Sequence, residues 1–172
     1  MRLALQPLSA EAFAPYGRLV TAGAALAQET PPAGAPAPRL INGGTSLRVE
    51  AGDGLSLLQA GGEPTLAVFR AQAQDAQGPW RTLERHLLGS QSFVPLAGAR
   101  CIVLVALGEQ APDPLTLAAF DGDGRCGFTL HAGTWHHGLI AREAGDFVVL
   151  ERRAGQPDCE FAELAQPVWI DA

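Results

Sequence analysis

The sequence of 172 residues contains no lysine, and all 12 of its basic residues are arginines. The lack of lysine excludes enzymes that form a lysine Schiff base with their substrate, and it excludes the phosphate-binding lysine of P-loop proteins. Histidine is also scarce, with 4 residues, so few general bases and few nitrogen ligands for a metal are available. The formal net charge of −6 argues against a nucleic-acid-binding surface, because phosphate contacts require a basic face.

Cysteines and long apolar runs are scarce as well. The three cysteines lie far apart without any C-x-x-C pair, which fits neither a zinc ribbon nor a disulfide framework and favours reduced thiols. The longest strongly apolar run, residues 101–107, is too short to cross a bilayer. The N-terminus has one charged side chain and lacks the apolar core of a signal peptide. We therefore expect a cytoplasmic protein that binds neither membranes nor nucleic acid.

Turn-forming residues are abundant, with 20 glycines and 13 prolines spread along the chain. They separate short apolar segments at a spacing of roughly 8–12 residues, which is typical of a β-sandwich or barrel. The predicted strands cover residues 16–20, 46–50, 55–59, 65–71, 81–86, 91–95, 101–107, 115–120, 128–131, 138–142, 147–152 and 160–164. Ser9 is placed to cap a short helix over residues 10–13. We expect one all-β domain over residues 1–172, with a flexible Ala/Pro-rich loop at residues 21–38.

Two short polar clusters contain the candidate functional residues. Glu84 and His86 lie two residues apart in a predicted strand and therefore point to the same face, whereas Arg85 points to the other. His136 is followed by a second histidine that must face the opposite way, so only one of this pair joins a given site. Taken alone, each cluster also fits ordinary polar residues on a strand. Together with Gln91, they form a mixed nitrogen and oxygen set that suits a divalent first-row metal.

The spacing of these clusters resembles the two motifs of the cupin superfamily. The first cupin motif usually reads His-x-His, then Glu, then Gly, and its layout is matched here by Glu84-x-His86-x4-Gln91-x6-Gly98. The second usually reads Pro-x-Gly-x2-His, and its layout is matched by His131-x-Gly133-x2-His136. The resemblance implies a cupin-type, jelly-roll-like double-sheet β-barrel, here with a short N-terminal helix, and this agrees with the number of predicted strands.

A longer segment, residues 83–95, reads LERHLLGSQSFVP and resembles the signature of the ureidoglycolate lyase family, formerly called ureidoglycolate hydrolase. Further matches lie at residues 7–17, 69–71, 105–108 and 135–137, in the same order along the chain. The resemblance implies a carbon–nitrogen lyase of the amidine-lyase type that cleaves (S)-ureidoglycolate to glyoxylate and urea. That reaction belongs to the breakdown of allantoin and purine nitrogen. The resemblance also implies a homodimer that acts on a small molecule.

The resemblance also implies roles for individual residues. The elimination requires a base, an acid and a grip on the substrate. Glu84, His86 and His136 are the expected catalytic residues, and the same three with Gln91 are the expected ligands of a divalent metal, nickel or another first-row ion. Without a metal, Glu84 or His136 serves as the base and His86 as the acid. Gln91 is also a candidate for contact with the substrate.

Arginine is the side chain suited to a planar carboxylate, so the candidates for binding the substrate carboxylate are Arg70 and then Arg48. Arg70 shares a strand face with Leu66 and Val68, although either arginine also fits an ordinary surface position. Two other functions stay open at this point. One is a metal-dependent cupin dioxygenase or isomerase, although such sites usually have three histidines and this chain has two at the matching positions. The other is a non-catalytic cupin that binds a small carboxylic acid.

Overall fold

A computed structural model of the protein describes residues 1–23, 37–52, 54–156 and 158–171. The strands are β1 (Arg2–Pro7), β2 (Gly17–Val20), β3 (Arg39–Ile41), β4 (Ser46–Arg48), β5 (Glu63–Ala71), β6 (Trp80–His86), β7 (Gln91–Pro95), β8 (Cys101–Ala106), β9 (Ala118–Gly122), β10 (Gly127–Leu130), β11 (Trp135–His136), β12 (Ile140–Ala141), β13 (Gly145–Arg153) and β14 (Cys159–Asp171). Helix α1 (Ala10–Phe13) and short 3-10 helices at Asn42–Gly44, Gln59–Gly61 and Pro114–Thr116 lie between them. Residues 24–36, most of the loop predicted at residues 21–38, lie outside the described residues.

Within the described ranges, the strands form two large sheets and one small sheet. The seven-stranded sheet has the order β11-β6-β14-β1-β9-β8-β12, and β11 also pairs with β8, so the pairings run round the sheet and return to β11. The five-stranded sheet has the order β2-β10-β7-β13-β5, and β3 pairs with β4 separately. This architecture confirms the predicted all-β, cupin-type double sheet with a short N-terminal helix.

Two apolar clusters stabilise the sheets, and strand β8 contributes to both. The inter-sheet core comprises Phe13, Tyr16, Phe93, Ala99, Cys101, Val103, Val105, Ala118, Phe120, Phe128, Leu130, Phe147 and Val149. The intervening residues of β8, Ile102 and Leu104, lie in the second cluster, on the other face of the seven-stranded sheet. A strand that is buried on both faces has a continuous apolar sequence, which accounts for the run at residues 101–107.

Helix α1 has the predicted bounds and closes one part of the inter-sheet core. The Ser9 hydroxyl oxygen accepts a hydrogen bond from the backbone N–H of Ala12 at 3.2 Å, which satisfies a free donor at the helix start. Phe13 is fully buried and packs edge-on against Phe120 and Phe128, with ring centroids 5.3 and 6.0 Å away. Burial of a side chain of this size contributes about 2 kcal/mol.

The predicted strands at β5, β6, β7, β8 and β13 agree with the structure to within two residues at each end. The strand predicted at residues 55–59 is wrong, because this segment forms hydrogen bonds with the turn after β6 instead: the N–H of Ser56 bonds the hydroxyl of Ser90 at 2.8 Å. The strand predicted at residues 115–120 begins as a 3-10 helix, which the Asp113 carboxylate caps by accepting from the N–H of Leu115 at 2.9 Å. No helix in the described part of the chain is long and apolar enough to span a membrane.

Candidate metal and catalytic site

The structure brings together Glu84, His86 and His136. Glu84 of β6 and His136 of β11 are direct cross-strand partners. His136 also lies opposite Val105 of β8, which belongs to the inter-sheet core, so His136 and Glu84 point into the space between the two large sheets. One ligand atom from each of the three side chains lies within 4.8 Å of the others. We call these three residues the inner cluster.

The neighbours of the inner cluster in sequence face away from it, as the strand alternation predicts. Arg85 is buried on the opposite face of β6, where its guanidinium lies 4.4 Å from the ring centroid of Trp135. It also donates to the Glu160 carboxylate at 2.6 Å, so it stabilises the sheet. His137 packs against the ring of Trp80 at 4.5 Å. Of the adjacent histidines, only His136 therefore joins the cluster.

His136 presents a free nitrogen lone pair to the cluster. Its Nδ1 lies 3.0 Å from the backbone carbonyl of Thr134, which can only accept, so Nδ1 carries the proton. Its Nε2 is buried, finds no hydrogen-bond partner among the described residues and lies 3.6 Å from Oε1 of Glu84. Burial lowers the pKa of His136 to about 4, against the opposing effects of the Thr134 carbonyl and Glu84. The imidazole is therefore neutral at pH 7, and its contact with Glu84 is not an ion pair.

His86 and Glu84 are also held on one side and turned to the cluster on the other. Nε2 of His86 is buried without a hydrogen-bond partner among the described residues, while Nδ1 lies 3.7 Å from Oδ1 of Asp158. The His86 and His136 rings lie 5.6 Å apart. Oε2 of Glu84 accepts from the Cys159 thiol at 3.6 Å, and burial raises the pKa of that thiol to about 11, so it stays protonated.

Gln91 reaches the same space from the five-stranded sheet. It is the first residue of β7 and pairs with Leu130, which lies in the inter-sheet core, so both side chains face inward. Its Nε2 donates to the carboxylate of Glu151 at 2.8 Å. Its Oε1 is buried and has no partner among the described residues. Three polar atoms, on His86, His136 and Gln91, are therefore buried without a partner among the described residues, and buried polar atoms of this kind require a partner such as an ion or water.

The structure brings neither predicted arginine into the inner cluster. Arg70 lies on the outer face of β5, where its side chain is 78% exposed and donates twice to Asp146 at 2.9 Å. Leu66 and Val68, which share that face, are exposed as well, so the face is not a binding wall of the barrel. Arg48 is paired with a carboxylate of its own segment, two residues further along the chain, at 2.7 Å.

Arg70 does border a cavity next to the cluster. The cavity has a volume of about 500 Å³, and its lining residues are Phe69, Arg70, Ala71, Gln72, Gln74, His137, Gly138 and Leu139. Gly138, one of these lining residues, lies close to the inner cluster, because a Cβ atom at residue 138 would lie 3.8 Å from Oε1 of Glu84. Arg70 therefore shares a cavity with a residue next to Glu84, whereas Arg48 is not among the lining residues.

Sequence reasoning did not find Glu151, Asp158 or Cys159, which contact the expected ligands from outside the cluster. Glu151 carries a weak signal, because it lies two residues after the core residue Val149 and must face the same way. Asp158 and Cys159 carry none, since they reach His86 and Glu84 only through the pairing of β14 with β6.

Comparison with known proteins agrees with the sequence motifs. The family model described as ureidoglycolate lyase matches residues 1–171. A protein from Burkholderia cepacia named ureidoglycolate lyase is 36% identical over 165 residues, which cover 94% of this chain and 86% of that protein. A protein of the same name from Azotobacter vinelandii is 34% identical over 160 residues, or 92% of this chain and 89% of the relative. With a match over nearly its whole length, the chain belongs to the ureidoglycolate lyase family.

Proposed function

We propose that the protein cleaves (S)-ureidoglycolate to glyoxylate and urea. The observation that carries the proposal is the inner cluster of Glu84, His86 and His136, which faces the space between the sheets and lies in segments that match the family. The names of the relatives supply the substrate, and the cluster supplies groups suited to the reaction.

The reaction is an elimination at the carbon that carries both the hydroxyl and the ureido nitrogen. The hydroxyl loses its proton, its oxygen forms the new carbonyl of glyoxylate, and the carbon–nitrogen bond breaks. The bonding electrons go to the ureido nitrogen, which takes up a proton and leaves as urea. No water and no redox partner is consumed. The protein must therefore accept one proton, return one proton and hold the substrate in a fixed orientation.

The inner cluster has the donors that a divalent first-row metal requires. Two imidazole nitrogens, the Glu84 carboxylate and the Gln91 amide oxygen make a mixed set, and the unpartnered buried atoms of His86, His136 and Gln91 fit a cation. We propose these four side chains as its ligands, with nickel as the first ion to test. A bound ion of this kind acidifies a substrate hydroxyl.

Without a metal, the same side chains are suited to proton transfer. Glu84 and the neutral imidazole of His136 each offer an acceptor atom for the hydroxyl proton, because low pKa and buried position leave His136 Nε2 unprotonated. His86 is the group that returns a proton to the leaving nitrogen. Its ring lies 5.6 Å from that of His136, so the donor and the acceptor flank a small substrate.

The substrate carboxylate is assigned to Arg70 in preference to Arg48. Arg70 borders a cavity whose lining includes Gly138, a residue close to Glu84, and its guanidinium must leave only an exposed pair with Asp146 to bind a substrate. Solvent screens an exposed ion pair of this kind, so its exchange for a substrate carboxylate costs little.

The domain organisation, cellular location, pathway and oligomeric state are part of the same proposal. We propose a single domain over residues 1–172 that acts in the cytoplasm, in the breakdown of allantoin and purine nitrogen, as a homodimer. Support for the dimer comes from the outer face of the five-stranded sheet, where Leu66, Val68 and Val94 are exposed, and faces of this kind are covered in many oligomers. Sedimentation velocity measures the state directly.

The test of function is an assay with each enantiomer of ureidoglycolate, in which glyoxylate, urea and ammonia are all measured. We expect glyoxylate and urea in equal amounts from the (S) enantiomer, without ammonia. Ammonia in place of urea would indicate hydrolysis of the ureido group instead. Binding without turnover would favour a cupin that only senses a small acid.

A further inference from the structure

Each side chain of the proposed site has a second polar atom that is held from outside. The carbonyl of Thr134 accepts from Nδ1 of His136, and the thiol of Cys159 donates to Oε2 of Glu84. Nε2 of Gln91 donates to the carboxylate of Glu151 at 2.8 Å, and Nδ1 of His86 lies 3.7 Å from the carboxylate of Asp158, near it but beyond hydrogen-bond distance. The other polar atoms of His86, His136 and Gln91 are buried without a hydrogen-bond partner among the described residues.

The contact between Glu151 and Gln91 decides which end of the amide faces the cluster. A carboxylate accepts hydrogen bonds and donates none, so the atom 2.8 Å from Glu151 must be the NH2 group of Gln91. The amide oxygen is then turned the other way, where it is buried and unpartnered among the described residues. Gln91 itself is only 6% exposed, so it has no solvent alternative to this arrangement.

Glu151 has a position from which it acts on Gln91 specifically. The two residues are direct cross-strand partners on β13 and β7, and both side chains face the inter-sheet space. Glu151 does not belong to the inner cluster of possible metal-holding groups found among the described residues. Its contact with the proposed site is the hydrogen bond to the Gln91 amide.

Asp158 has the matching position behind His86. Its Oδ1 lies 3.7 Å from Nδ1 of His86, and its Oδ2 accepts from the N–H of Leu88 at 3.1 Å. The guanidinium of Arg152, which is buried, lies 3.5 Å from the same Oδ2 and donates to the carbonyl of Gln59 at 2.8 Å. The carboxylate is thus fixed on two sides and leaves Oδ1 to face the imidazole.

We infer that Glu151 and Asp158 are positioning residues that turn Gln91 Oε1 and His86 Nε2 toward the ion site. The inference rests on the proposed site. It adds two carboxylates that leave Gln91 and His86 with one atom each available to the ion. Without Glu151, the amide of Gln91 can rotate and present NH2, which cannot bind a cation. Without Asp158, the imidazole of His86 can place its proton on Nε2, which blocks the lone pair.

The experiment measures the binding of Ni²⁺, and separately of Co²⁺, to metal-free protein by titration calorimetry. We expect Glu151→Met and Asp158→Ala to weaken binding by about 10- to 100-fold, the usual effect of losing an outer partner of a ligand. Glu151→Gln keeps an oxygen that accepts from Gln91, so its affinity should stay within a few-fold of the wild-type value. Glu63→Gln, at an exposed ion pair with Arg153, is the control for removal of a carboxylate.

A double variant tests whether Glu151 acts through Gln91. In a Gln91→Met background, Glu151→Met should have no further effect on affinity. Equal losses with and without Gln91, or equal losses for Glu151→Gln and Glu151→Met, would overturn the inference, as would wild-type protein that binds neither ion. Thermal melts of each variant identify those that fail to fold. Because binding is measured without substrate, a protein that binds Ni²⁺ in this pattern and yet releases no urea would contradict the proposed function alone.

Discussion

The two walls of the site differ in what they contribute. The seven-stranded sheet supplies a carboxylate and two imidazoles from adjacent strands, and the register of β6 against β11 alone places Glu84 beside His136. The five-stranded sheet supplies a single neutral amide, Gln91, whose orientation depends on Glu151. In the function proposed above, one wall carries the groups that transfer protons, while the other adjusts the site from across the gap.

The largest expected effect comes from substitutions in the seven-stranded sheet, which carries Glu84, His86 and His136. His136→Asn should lower kcat/KM for ureidoglycolate by about 10³-fold, because a positioned acid or base contributes 10² to 10⁴. His137→Asn is the matched control, since that ring packs on Trp80 outside the cluster, and its activity should stay within a few-fold of wild type. Urea release is the measurement. Equal losses of activity in the two variants would contradict the assignment of a catalytic role to His136.

A stability effect follows from the buried, neutral state of His136. Because burial lowers its pKa in the folded state, the unfolded chain binds a proton more readily between pH 6.5 and about 4. The free energy of unfolding is therefore unaffected by this group above pH 6.5 and decreases as the pH falls toward 4. The decrease due to His136 should be about 2 to 3 kcal/mol at pH 4.5.

Denaturant unfolding of the wild type and of His136→Asn at pH 7.5 and 4.5 measures this effect. The free energy of unfolding of the wild type should fall more than that of the variant, and the difference isolates His136 from the other titrating groups. Parallel decreases in the two proteins would mean that His136 does not titrate as its burial requires.

The smallest expected effect concerns the exposed arginines Arg70 and Arg48, which lie outside the inner cluster. Arg70→Gln should raise KM by about tenfold with little change in kcat, because a charge-assisted contact to the substrate carboxylate is lost. Arg48→Gln is the control, since its partner is a neighbouring carboxylate far along the chain from the site segments, and its KM should change less than twofold. If the two variants have the same KM, the substrate carboxylate binds elsewhere.

The periodicity of the sequence predicted much of the fold and half of the arrangement of the site. Alternation placed Glu84 and His86 together and Arg85 apart, because the pleat of a strand depends only on local geometry. It also separated His136 from His137. The interior strands with long apolar segments were predicted within two residues, since burial on one or both faces leaves a strong pattern.

The features that were missed depend on pairings between distant parts of the chain. Strand β1 joins the sheet by parallel pairing to β14 and β9. Leu3 and Leu5 alternate with exposed residues, but nothing in this short segment specifies strands so distant along the chain as partners. Glu151 meets Gln91 only through the register of β13 with β7. The exposed face that carries Arg70 has apolar residues, Leu66 and Val68, so its hydrophobicity predicted burial that the structure does not have.

The two-residue strand β11 gives the site a particular vulnerability. It is the seam between β6 and β8, with His136 paired to Glu84 on one side and to Val105 on the other. A seam this short has few hydrogen bonds of its own, so it can open by a local fluctuation while both apolar clusters stay packed. Hydrogen exchange at Trp135 and His136 should therefore be faster than in β8. Activity should disappear on heating before the global transition, because the proposed catalytic groups, Glu84 and His136, separate before the barrel melts.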